Sequence, residues 1–223
     1  MVFGFKRGDT VRLDRIEATL QRMLADDRHE FDLAMSALVG GATARTVRED
    51  IRETDHRVNQ AEREIRRDLI VHASVYGGID TPAVLVYMSI VKDIERIGDY
   101  AKNLVDLARD GASFAEAPDV DAWRALWVEI SQMIADTAEI FHVRDGERAR
   151  ALLKRGDEML DLFDDHVSEL VSGQDQSPNA VARAVTYRYL KRVVAHLMNV
   201  LSSVVMPVDR IDYFDEDPED RQG

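Results

Sequence analysis

The 223-residue chain contains no cysteine, which excludes disulfides, zinc–thiolate sites and thiol nucleophiles and agrees with a reducing, cytoplasmic setting. Proline and glycine are scarce, at 5 and 12 residues, too few for a fold of many short strands and turns. No apolar run approaches the roughly 20 residues a membrane-spanning helix needs, and the opening Met1-Val2-Phe3-Gly4-Phe5-Lys6-Arg7 lacks the apolar stretch of a secretory signal. Net positive charge is also missing. The formal charge of −13 would repel a phosphate backbone, and with no Lys/Arg-rich stripe to offset it the composition argues against nucleic acid and for cations or basic protein surfaces as partners. Glycine-rich phosphate loops, nucleophile elbows and Ser/His/Asp arrangements do not occur, so the sequence reads as a binding protein rather than an enzyme.

What is present is helical. Apolar residues make up 45% of the chain, enough for a sizeable core. Leu13, Ile16, Leu20, Met23, Leu24, Phe31, Met35 and Leu38 step mostly by three, four or seven and define one face of a first helix, which Gly40-Gly41 ends. Val47, Ile51, Val58, Ile65 and Leu69 mark a second helix over about 43–73, broken at Tyr76-Gly77-Gly78. A third helix starts with Thr81 as N-cap and Pro82 at the first helical position and runs to about Arg109. After a small-residue linker over 111–118 the pattern resumes with Trp123, Leu126, Trp127, Ile130, Ile134 and Phe141 in a fourth helix. Asp145-Gly146 turns into a fifth over about 147–170, and Ser177-Pro178 opens a sixth.

The third and sixth helices match at a 96-residue offset, the one that carries Thr81 onto Ser177. Ile94, Ile97, Ala101, Leu104 and Val105 fall on Leu190, Val193, Leu197, Val200 and Leu201, while Arg96 and Asn103 fall on Arg192 and Asn199. The expected fold is therefore all-α, with two tandem pseudo-symmetric three-helix bundles. The repeats occupy 1–110 and 119–208, and an acidic, aperiodic tail follows over 209–223.

The chemistry gathers on the third helix, where Glu95, Asp99 and Asn103 at i, i+4 and i+8 share one face beside the apolar stripe. Carboxylates four apart repel, and Gly98 inside a helix costs about 1 kcal/mol relative to Ala. A close-packed backbone or a bound ion would account for both. The second helix offers Asp55, Asn59 and Glu62 at i, i+4 and i+7, with Asp55 where the stripe between Ile51 and Val58 calls for an apolar residue. Facing oxygen donors without thiolates suit a hard cation such as Mg²⁺, Mn²⁺ or iron. The competing account is a solvated face with local salt bridges, such as Glu62 with Arg66 or Asp99 with Lys102. Asp157, Asp161 and Asp164 are the comparable positions of the fifth helix, but Lys191 and Ala195 stand where the third helix has Glu95 and Asp99. Lys191 paired with one of those aspartates would make the second half purely structural. His142 and His196 read as packed or hydrogen-bonded histidines, and Trp123 and Trp127 as core.

The run Asp93-Ile94-Glu95-Arg96-Ile97-Gly98-Asp99, with Ala101 and Asn103 downstream, resembles the third-helix signature of the PhoU family. Asp55-His56-Arg57-Val58-Asn59-Gln60-Ala61-Glu62 resembles that family's preceding helix, with Asn59 where an acidic residue is usual. The resemblance implies a non-enzymatic, cytoplasmic regulator of phosphate uptake that docks on phosphate transporter components and their sensor kinase, peripheral to the inner face of the membrane through those partners, with homo-oligomers allowed. It implies divalent or iron-type metal ions, up to a multinuclear cluster, held by Glu95 and Asp99 with Asp55, Asn59 and Glu62, and supported by Asp93 and Asn103. The degenerate second motif confines that cluster to the first repeat. The alternative is a metal-free helical adaptor that uses the same acidic faces for protein contacts; a carboxylate-bridged di-metal enzyme, motivated by the acidic faces alone, ranks last.

Overall fold

A computed structural model describes residues 10–76 and 80–211 and shows six helices: α1 Thr10–Leu38, α2 Ala44–Tyr76, α3 Thr81–Arg109, α4 Val120–Val143, α5 Gly146–Ser172 and α6 Ala180–Val205. A 3-10 turn, Val208–Arg210, follows α6. Among the described residues there is no strand, and no helix is long and apolar enough to cross a membrane.

Helices α3 and α6 lie side by side at the centre. The first packs with α1 and α2, the second most heavily with α5. Helix α4 leans on α1 and α6 more than on α5, so the junction between the halves is closed from two sides. The buried apolar side chains form one continuous cluster across both halves, with Phe31, Phe114, Trp123, Phe141 and Phe163 among its largest fully buried members. The five apolar positions paired at the 96-residue offset are buried in both helices. That is what equal stripes facing one core require.

The helix caps differ from the expectation. The N-cap of α3 is Asp80, with Thr81 already helical, and Asp80 caps nothing with its side chain, because its Oδ2 lies 2.9 Å from His72 Nε2 in a buried pair that ties the end of α2 to the start of α3. Ser177-Pro178 does not open α6. Helix α6 begins at Ala180 behind Asn179, which sits in the left-handed region at φ 62°, a conformation Asn tolerates better than most residues. The Pro178 carbonyl is held instead by Arg183 Nε at 2.9 Å. Arg183 is itself buried and grips Asp119 at the start of α4 with two bonds of 2.6 and 2.7 Å, and this holds the Asp119 carboxyl below the usual range. The cap correspondence between α3 and α6 is therefore displaced by three residues, although the apolar register is kept.

Two further expectations lie partly outside the described residues. The break at Gly77-Gly78 falls there entirely, as do 212–223 of the acidic tail. Of the tail's described beginning, Asp209 and Arg210 belong to the 3-10 turn and Ile211 is buried rather than solvated.

Where α5 crosses α6, Gly156 lets the helices approach: a Cβ there would sit 2.5 Å from Met198 Sδ and 2.7 Å from its Cγ. Both residues are buried, so Met198 has little room to yield. Gly156→Ala is expected to destabilise the protein by about 1–3 kcal/mol through overpacking, or roughly 2–4 °C of melting temperature per kcal/mol at this chain length. Thermal unfolding checks it. In a Met198→Ala background the added methyl should cost nothing, and an equal loss in both backgrounds would locate the clash elsewhere.

Candidate metal centre

The first helix contributes the least expected part of the site. Its buried face runs Leu20, Met23, Leu24, Asp27, Glu30, Phe31, Ala34, Met35 and Leu38, so two carboxylates occupy the step between Leu24 and Phe31 where an apolar turn belongs. Asp27 and Glu30 are 0% exposed. No hydrogen-bond donor among the described residues reaches any of their four carboxylate oxygens. They lie directly beneath α3 at Gly98, where a Cβ would stand 2.9 Å from Asp27 Oδ1 and 3.0 Å from Glu30 Oε2. The glycine that the sequence marks as a point of close approach thus admits two acidic side chains.

A buried carboxylate without donors favours its neutral form. Burial is the main reason that Glu30 is pushed up to about 9, with Asp55 and Asp26 adding repulsion and Lys102 and Arg57 opposing it. Burial also raises Asp27 well above the usual carboxylate range, helped by Glu30, Asp26, Glu95 and Asp55. Glu95, on the facing turn of α3, is raised by burial and then by Asp99 and Glu62. Carboxylates from three helices therefore act on one another across a shared interior.

One cation is already there. Lys102 Nζ lies 2.5 Å from Asp55 Oδ1 and 2.8 Å from Asp99 Oδ1, bridging α2 and α3. Burial alone would push its pKa down, yet the bonds to Asp55 and Asp99 carry it above the ordinary value. Asn59 donates to the same Asp55 oxygen at 3.0 Å. Arg66 holds Glu62 at 2.8 Å, and Arg96 stands 3.4 Å from Asp99 and 3.8 Å from Glu95. Both local salt bridges weighed in the sequence, Glu62 with Arg66 and Asp99 with Lys102, are present.

The structure thus brings Asp55, Asn59, Glu62, Glu95 and Asp99 into one region and adds Asp27 and Glu30. Asp55 does not fill the gap in the α2 stripe: buried Thr54 does, and Asp55 sits at the edge. Asp93 belongs elsewhere. Its Oδ1 lies 2.8 Å from His196 Nδ1 and accepts from Asn199 at 3.1 Å in a buried linkage of α3 to α6, because Asp93 and Glu95 point to different sides of the helix. Asn103 is half-buried on α3. In the second half Asp164 is held by Lys191 and by Arg188, Asp157 is half-buried and Asp161 exposed. Val194 and Ala195 are buried where α3 has Gly98 and Asp99, so that interface is closed by apolar packing.

An all-oxygen set of this kind suits a hard cation chemically. Its arrangement is the one neutralised by Lys102: among the described residues no three His, Cys, Asp or Glu side chains stand together as a ligand group. The basic residues are not as dispersed as the overall charge suggests. The chain does possess a local basic stripe, with Arg45, Arg48 and Arg52 of α2 facing Lys102 and Arg109 of α3 along a groove.

The geometry defines an all-α bundle with a buried acidic centre between its first three helices. Comparison with known proteins places it more closely: residues 20–108 match the family model described as the PhoU domain. The chain is 31% identical over 164 residues to the phosphate-specific transport system accessory protein PhoU homolog of Deinococcus radiodurans, covering 69% of this chain and 73% of that one. It is 25% identical over 198 residues to the Synechocystis homolog of the same description, covering 86% and 87%. The chain belongs to the PhoU family. The crystal structure of PhoU from Pseudomonas aeruginosa superposes with a TM-score of 0.74 at 20% identity, over 87% of this chain and 95% of that one, which establishes the shared fold.

The raised carboxyls give a signed pH dependence. Glu30 keeps its proton in the folded state up to about 9, from an ordinary value of 4.5, so its contribution is fully present below about pH 4.5 and is lost as pH rises toward 9. In this window each such group removes on the order of 1 kcal/mol per pH unit. Metal-free protein should accordingly melt at lower temperature at pH 8.5 than at pH 6. Glu30→Gln should flatten that slope, and a slope unaltered by the substitution would remove Glu30 as its source.

Proposed function

We propose that this protein is a regulator of phosphate uptake that docks on a phosphate transporter or its sensor kinase and holds a hard metal cation in the acidic centre of α1–α3. By family it is a regulatory accessory protein and not an enzyme, and its relatives in Deinococcus and Synechocystis are described as accessory proteins of the phosphate-specific transport system. The observation that carries the metal reading is the pair Asp27 and Glu30, whose four buried oxygens have no donor among the described residues and look onto the Gly98 turn. A cation there would be held by Asp27, Glu30, Asp55, Glu95 and Asp99, with Glu62 and Asn59 behind them, once the Lys102 ammonium gives way. The cation would supply positive charge to oxygens that otherwise must be protonated. Docking would use the protein's acidic exterior, in keeping with a net charge of −13.

A second reading rests on Lys102, which already bridges Asp55 and Asp99. In it the centre is metal-free, Asp27 and Glu30 stay neutral, and the protein is a helical adaptor. Lys102→Met separates the two. If a metal is bound, removing the competing ammonium should tighten Mn²⁺ or Mg²⁺ binding by about tenfold, or 1.4 kcal/mol, in calorimetric titration of metal-stripped protein. Asp27→Asn with Glu30→Gln should abolish binding while the helical circular dichroism is kept. Heat-silent titrations of the wild type with Mg²⁺, Mn²⁺ and Fe²⁺, together with a metal content of zero after purification, would establish the adaptor instead.

A further inference from the structure

We infer that the groove between the start of α2 and the end of α3 binds phosphoryl oxyanions. Two adjoining cavities, of about 220 and 130 Å³, make up this groove. Arg45, Arg48 and Arg52 line one wall, and Lys102 and Arg109 the other, over an apolar floor of Ile51 and Val105. The acids within it are already engaged: Arg109 holds Asp106 at 2.5 Å and Lys102 holds Asp55. Arg52 is shared with Glu49 at 2.9 Å. Arg45 and Arg48 have no carboxylate within ion-pair distance among the described residues, though the chain carries 42 acidic side chains to 29 basic ones. Positive charge left unneutralised in a concave site of so acidic a protein points to an anionic ligand.

Guanidinium forks pair with carboxylate and with phosphate oxygens through two parallel bonds, but a terminal phosphoryl group offers three acceptor oxygens and can serve several forks at once, whereas a lone carboxylate serves one; a row of three arginines therefore favours phosphoryl groups. Positions 45, 48 and 52 advance along one face of α2 and span about 10 Å at 1.5 Å per residue. A ligand of that reach carries more than one phosphoryl group, so inorganic phosphate would engage part of the groove and a short condensed phosphate its length. Arg45 is the second residue of α2, which puts the positive end of the helix dipole at the same end of the groove. This inference does not depend on the acidic centre holding a metal, since its free charges are Arg45 and Arg48 and not the Lys102 ammonium.

The test is a calorimetric titration of the full chain with inorganic phosphate, pyrophosphate and tripolyphosphate at fixed ionic strength. Binding is expected to tighten at least tenfold from phosphate to tripolyphosphate and to weaken at least tenfold in Arg45→Gln/Arg48→Gln. Arg63→Gln/Arg67→Gln, which removes the same charge from an exposed stretch further along α2, should leave it unchanged. Saturation by phosphate alone would identify the free anion as the ligand, and saturation by tripolyphosphate alone a condensed phosphate. Either supports the groove. Absence of heat with all three anions, or equal losses in the two double variants, overturns it.

Discussion

Two acidic side chains stand where the first helix needs apolar ones, and much of the surrounding architecture accommodates them. Burying a carboxylate without donors is costly as an ion and tolerable as a neutral acid; the same burial that packs α1 against α3 pushes Asp27 and Glu30 toward the second condition. Gly98 makes room for them, since any side chain there would press on both carboxyls. Lys102 neutralises the next layer, Asp55 and Asp99, and ties α2 to α3 in doing so. A centre so arranged is poised to exchange protons or an ammonium for another positive charge, which is the physical content of the metal reading.

In the second half of the chain that constraint is absent. Buried Val194 and Ala195 replace the Gly-Asp pair, Met198 fills the approach to Gly156, and Lys191 closes on Asp164. Apolar packing takes the place of an acidic interior. Between the halves, polar groups provide the specificity that a continuous apolar core does not: Asp93 with His196 and Asn199 links α3 to α6, Arg183 with Asp119 links α6 to α4, and Trp127 donating to Asp32 at 2.8 Å links α4 to α1. Charge is thus largely paired locally, and the groove of α2 and α3 is one place where arginines are left without a carboxylate partner among the described residues.

The signal for Asp27 and Glu30 was in the sequence. The apolar steps of α1 pass over six residues between Leu24 and Phe31, and the core-facing positions of the skipped stretch are these two acids. Carboxylates at core positions are hard to distinguish from solvated ones because periodicity alone does not say which neighbour covers them. The Gly98 anomaly was legible for the opposite reason: glycine within a strong helical stripe has an intrinsic cost that demands a neighbour. Asp93 was misjudged by adjacency, since two residues along a helix turn a side chain through about 200° at 3.6 residues per turn. Thr81 and Ser177-Pro178 were misjudged as caps because a cap signal is local, whereas Asp80, which takes the N-cap position of α3, and the Pro178 carbonyl are held by His72 and Arg183 from other parts of the chain.

The sequence by itself determined the helical class, the six helices and their buried stripes, because hydrophobic period and helix-ending residues act over a few turns and are written in neighbouring positions. It also determined that Glu95, Asp99, Asp55 and Glu62 share helix faces, which spacing alone dictates. Only the tertiary structure decided that α1 supplies the deepest carboxylates, that Lys102 sits among them, that Asp93 faces α6, and that arginines from α2 gather opposite Arg109. Those outcomes depend on which helix lies against which and in what register. That choice is made by the packing of whole faces, and no single segment encodes it.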